Sequence, residues 1–174
     1  MLTVERQVEE IRKAMSKHLK EKLEFEPLKW KRLKRTRNCF TYAFNIKSGI
    51  IEKDLISTIG ALIGSPWKSG NMSLKKAYEI LCNTMKVCGI SFKESNFEEK
   101  PSHDYYKVAV CISAKDIHWI RQDDDGFWSH KQGWFAEPTN VDKDGSLITN
   151  PEQANIETDG EILDTKYFLI SRNY

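Results

Sequence analysis

The hydrophobic rhythm of this chain changes partway along it, and that change restricts the fold. From Val4 to about Leu23 apolar residues fall at positions 4, 8, 11, 15, 19 and 23, the spacing of one helical face. Thr3 is placed to cap this helix, and Pro27 lies past its end. Ser73 to Cys88 predicts a second amphipathic helix, ended by Gly89. From Tyr105 to Gln122 the pattern alternates instead and is rich in β-formers, as in Val108-Ala109-Val110-Cys111-Ile112. Asp123-Asp124-Asp125-Gly126 then signals a turn, Phe127 to His130 starts a return strand, and Lys166 to Ile170 makes a final strand. Gly60 to Gly70 reads as loop, as does the polar stretch Thr139 to Thr158. Helices first and strands afterwards predict an α+β domain, with N-terminal helices packed on an antiparallel sheet.

Charge divides the chain differently. Residues 1–37 hold twelve Lys/Arg against six Glu, whereas the whole chain carries only +2. Six cations crowd into Lys29 to Arg37, which reads as a solvated connector. The sequence thus suggests a basic helix and connector over 1–37 and a main domain over 38–174. The arm could contact nucleic acid or an anionic membrane surface, but no nucleic-acid motif accompanies it and the body is mildly acidic. Its apolar helical face could instead dock an immunity or carrier protein. No apolar run reaches the roughly 18 residues of a membrane span. The N-terminus lacks an apolar signal core, which predicts a protein cytoplasmic as made, or exported by a route without a classical signal peptide.

The four cysteines, Cys39, Cys82, Cys88 and Cys111, show no CxxC spacing, so neither a thiolate zinc site nor a disulfide framework is expected. Cys82, Cys88 and Cys111 sit inside apolar-periodic segments and read as core. Cys39 differs: Asn38 is placed to cap a helix that begins at Cys39, where backbone N–H groups favour a thiolate. His18 and His103 lie in polar surroundings and receive no role. His118 and His130 stand twelve residues apart around the Asp123–Gly126 turn, so a hairpin brings them nearly opposite each other on one face. A nucleophilic Cys needs a base, and the base a third group to orient it. Cys39, His118 and His130 supply that set, with Asn140 and then Asp142 as other third members.

Cys at the start of an early helix, His on a later strand and a polar residue on the next strand resembles the papain-like order. Within that class, His118-Trp119-Ile120 followed by Ser129-His130-Lys131 resembles the NlpC/P60 cell-wall peptidases, in which a second histidine follows the catalytic one by about a dozen residues. The resemblance runs from Asn38 to His130 in order and spacing. It departs at the nucleophile, where Asn38-Cys39-Phe40-Thr41 replaces an Asp-Cys-Ser-Gly-like motif, and at the oxyanion position, where no glutamine precedes Cys39. It implies amide-bond hydrolysis of a peptidoglycan stem peptide or a protein through an acyl-enzyme, without a cofactor, as in an effector or toxin. Glutamine deamidation and acyl transfer would use the same set, and a non-enzymatic binding module built on the basic arm stays open.

Two further patterns bear on the site. Trp119, Trp128 and Trp134 could line a substrate cleft or pack into the core. Asn140-Val141-Asp142-Lys143-Asp144-Gly145 opens like a calcium loop but carries Pro151 at the twelfth position, so an ordinary Asp-Gly turn is expected and no metal site.

Overall fold

The computed structural model describes residues 4–18, 20–33, 35, 37–48 and 73–173. The Thr3 cap and the Gly60–Gly70 loop expected from the sequence lie outside these residues.

Helix α1 spans Val4–His18 and ends earlier than its apolar spacing suggests. The reason is tertiary: the Asn45 side chain donates to the His18 carbonyl at 3.1 Å, and the Glu21 amide does the same. The chain leaves the helix there, yet Leu23 still enters the core, its amide held at 2.9 Å by Asp124 Oδ2. The connector is corrected too. Pro27 does lie past the end of α1, and it also opens a short helix, α2 (Pro27–Lys31), where its missing N–H costs nothing. Trp30 is buried edge-on against Tyr42, with ring centroids 4.8 Å apart. Arg37 is also buried and donates to the Ile46 carbonyl at 2.8 Å. A run rich in cations therefore carries two internal anchors.

Helix α3 (Cys39–Ala43) follows, and α4 (Leu74–Val87) is capped by Ser73, whose side chain accepts from the Lys76 amide at 3.2 Å. Past α4, Gly89 takes φ 72°, the left-handed conformation that glycine adopts without steric cost. The remaining chain makes β1 (Phe92–Ser95), β2 (Tyr105–Ser113), β3 (Ile117–Gln122), β4 (Trp128–Lys131), β5 (Pro138–Thr139) and β6 (Ile162–Ser171). They form one antiparallel sheet in the order β1-β6-β2-β3-β4-β5. The alternating stretch 105–122 is two strands rather than one. Ser113 bends it by accepting the Asp116 amide on its side chain at 2.9 Å, and by donating its own amide to the Asp116 carbonyl.

The period of two gives the sheet two covered faces. Val108, Val110, Ile117, Trp119, Phe168 and Ile170 meet the helical layer, where Ile11, Ala14, Met15 and Leu23 join Phe40, Phe44 and Met85. Ile11, Ala14 and Met15 of α1 thus belong to the chain's own core. On the opposite face Ala109, Cys111, Ile120, Trp128 and Tyr167 lie under the 140–158 loop, which contributes Ile148 and Ile156. No helix among the described residues is long and apolar enough to cross a membrane.

Candidate active site

Cys39 is the first residue of α3. Asn38 caps the helix reciprocally with Thr41: Asn38 Oδ1 accepts the Thr41 amide at 3.1 Å, and Thr41 Oγ1 accepts the Asn38 amide at 2.7 Å. This fixes the Cys39 backbone at the sheet. The β3–β4 ladder begins at the pair Ile120–His130, so Trp119 lies just outside it. Its amide donates to the Cys39 sulfur, which the amides of Phe40 and Cys39 also approach. The sulfur therefore stands at the edge of β3, one peptide along from His118.

The surroundings of Cys39 work against the expected thiolate. Burial pushes the Cys39 thiol up to about 11, and the Asp116 carboxylate adds to the rise; the three amides only partly oppose it. A helix of five residues has little dipole with which to offset desolvation. The balance of these influences favours the neutral thiol.

His118 on β3 and His130 on β4 do face the same side of the sheet. Their register differs from the expected one: Ile120 stands opposite His130, so the two histidines are diagonal neighbours. The diagonal suffices, since His118 Nε2 and His130 Nδ1 are 2.8 Å apart and the rings meet edge-on at 89°. His130 also donates to the Val141 carbonyl. The tautomer that satisfies both contacts has His130 protonated on the nitrogen away from His118, with His118 Nε2 donating the shared bond. The consequence is that His118 Nδ1 carries the ring's free lone pair. Both rings are buried, which lowers His118 to about 3, helped by its neighbour, and His130 to about 4.

Alternation sends His118 to the loop-covered face, opposite to Trp119, while Cys39 packs from the helical side. Among the described residues no hydrogen bond joins the Cys39 sulfur to the His118 ring; they flank the same edge of β3 where β4 has diverged. Asn140 and Asp142 are not in the third position, because His130 already holds His118 Nε2. The Asp142 carboxylate instead accepts the amides of Asp144, Ser146 and Asn155 and builds a turn closed by Gly145 at φ 79°. The expected tryptophan cleft is corrected likewise: Trp119 and Trp128 are core residues on opposite faces of the sheet, and Trp134 is half-buried in the turn after β4.

Sequence reasoning missed a second polar cluster, on the helical face. Arg121 is 1% exposed, and its guanidinium grips Asp123 Oδ1 through Nε at 2.9 Å and Nη2 at 2.8 Å. It also lies over the Tyr42 ring and donates to the Tyr42 carbonyl, Tyr42 Oη and the Glu24 carbonyl. Ser129 links Asp123 to Tyr42 Oη, the latter at 2.7 Å. The signal was available: Trp119 and Arg121 share parity, so a core Trp119 takes Arg121 inside with it. Searches against protein-family models, curated proteins and solved structures each returned no match for this chain.

Proposed function

We propose that the chain is a papain-like cysteine hydrolase acting on amide bonds, with Cys39 as nucleophile, His118 as base and His130 as the residue that orients His118. The observation that carries this reading is the 2.8 Å bond between His118 and His130, set on the strand whose Trp119 amide approaches the Cys39 sulfur. Acyl transfer to sulfur needs a thiol and an oriented base, and this reading requires His118 to reach Cys39 around the edge of β3. Because both groups start neutral, the reaction begins without an ion pair. The thiol proton passes to His118 Nδ1 as sulfur bonds to the substrate carbonyl carbon. The carbon–nitrogen bond then breaks, and the amine leaves with that proton. Water attacks the thioester, giving its proton to His118, and restores the thiol. The NlpC/P60-like order favours a peptidoglycan stem peptide as substrate, with a protein amide next.

The test is stoichiometric acylation by p-nitrophenyl acetate, read as a burst of p-nitrophenolate. Cys39→Ala should abolish the burst, and His118→Ala should slow it by about tenfold, below the full range of general-base assistance because burial holds His118 down at about 3. The wild-type rate should be nearly flat from pH 5 to 9, since His118 stays basic down to about 3 and the thiol stays protonated up to about 11. A burst indifferent to His118→Ala would overturn the reading and leave Cys39 a structural thiol.

A further inference from the structure

We infer that Tyr42, Ser129, Asp123 and Arg121 form a positioning device that sets the distance between the nucleophile and its base; the inference rests on the function proposed above. Its members are distributed over the three elements that carry the proposed catalytic residues. Tyr42 lies on α3 three residues after Cys39, Arg121 on β3 three residues after His118, and Ser129 on β4 next to His130. All four are buried, with Tyr42 and Ser129 fully enclosed.

The connections tie those elements to one another. Arg121 Nη1 donates to the Tyr42 carbonyl at 3.3 Å, near the C-terminal end of α3, and Nη2 donates to Tyr42 Oη at 3.1 Å. Tyr42 Oη meets Ser129 Oγ at 2.7 Å, which joins α3 to β4 directly. Ser129 donates to Asp123 Oδ2 while Asp123 Oδ1 receives Arg121, which closes the circuit between β4 and β3. Asn45, just past α3, offers Oδ1 to the same guanidinium at 3.5 Å.

The apolar contacts around α3 would tolerate a slide or a tilt of the helix. Directional bonds from its Tyr42 end to two strands do not, because a shift leaves buried donors or acceptors without partners. The opposite end of α3 holds Cys39 against the Trp119 amide. A displacement at Tyr42 is therefore transmitted to the sulfur by a five-residue helix, and misplacement by about 1 Å is enough to cost about 100-fold in rate.

The experiment is the pH profile of p-nitrophenyl acetate acylation in Tyr42→Phe and Ser129→Ala, with Met85→Ala as a core variant that lowers Tm without touching the circuit. Positioning predicts a burst about tenfold slower at pH 7 in both circuit variants. It also predicts a profile that now climbs with pH, because unassisted thiolate formation takes over from His118. Met85→Ala should keep the flat profile despite its lower Tm. Flat profiles in Tyr42→Phe and Ser129→Ala, with only Tm reduced, would overturn the inference and make the circuit purely structural. Should His118→Ala also leave the wild-type burst unchanged, it is the proposed function that fails, and the two failures are thus told apart. Tyr42→Phe removes a single oxygen, so it supplies the reading should Ser129→Ala not fold.

Discussion

Strand β3 carries two buried polar clusters back to back, and they are built on opposite plans. On the helical side, Arg121 and Asp123 are charged partners with side chains about 1% exposed, and the guanidinium is surrounded by acceptors. On the loop-covered side, His118 and His130 are uncharged, and among the described residues no hydrogen bond occupies Nδ1 of His118. A cluster whose bonds are all committed holds geometry but has nothing to offer a substrate. A neutral cluster with one vacant lone pair contributes less to rigidity and retains a base. The same strand thus fixes position on one face and keeps chemistry on the other.

The charged cluster is the easier to break. Arg121→Met should cost about 3–5 kcal/mol, because it strands the Asp123 carboxylate in the interior. Arg121→Met combined with Asp123→Leu should recover much of that loss; urea midpoints of the three proteins decide it. Recovery would show that the pair is kept for placement and not for stability.

The neutral cluster should reveal itself through acid. Burial holds both histidines well below their ordinary 6.5, so the unfolded chain binds more protons than the folded one below that pH. Stability should therefore be complete above about pH 6.5 and fall as the pH drops towards 4, by about 1.4 kcal/mol per pH unit for each histidine. Asp116 and Asp123, raised by burial, add stability as the pH falls and so cannot account for such a loss. The slope of the urea midpoint between pH 6.5 and 5 should flatten in His118→Gln/His130→Gln. An unchanged slope would mean that the rings charge freely in the folded protein.

The smallest effect concerns the cap. Asn38→Ala should lower stability by about 1 kcal/mol, while Asn38→Ser, which retains an acceptor for the Thr41 amide, should stay within a few tenths. Thermal unfolding of both variants separates the lost cap from a general intolerance at the site.

What the sequence disclosed was local. The Ser73 cap, the Asn38 cap and the Asp123–Gly126 turn are written in neighbouring residues, and the structure has them. What it concealed was decided by distant partners. Asn45 stops α1 at His18 from 27 residues away, and Tyr42 draws Trp30 out of a run of cations into the interior. Register shows the same limit. The turn brought His118 and His130 to one face, but the pairing of β3 with β4 made them diagonal, and only the ring geometry turned the diagonal into a hydrogen bond. At Cys39 the helix start is visible in sequence, whereas the burial that raises its thiol is not.

The sheet order has a consequence for how the molecule comes into being. β6, last of the strands to be synthesised, lies between β1 and β2 and pairs with both, from Phe92–Ile170 on one side to Tyr105–Ser171 on the other. Until β6 emerges, β1 has no neighbour and β2 presents a bare edge in the middle of the future core. The nascent chain can assemble helices and the β2–β3–β4 meander, but it cannot close its sheet, so the strand pairings that complete the sheet are its most distant in sequence. Slow, late completion is the expected result, with an unpaired strand edge exposed to other chains until then.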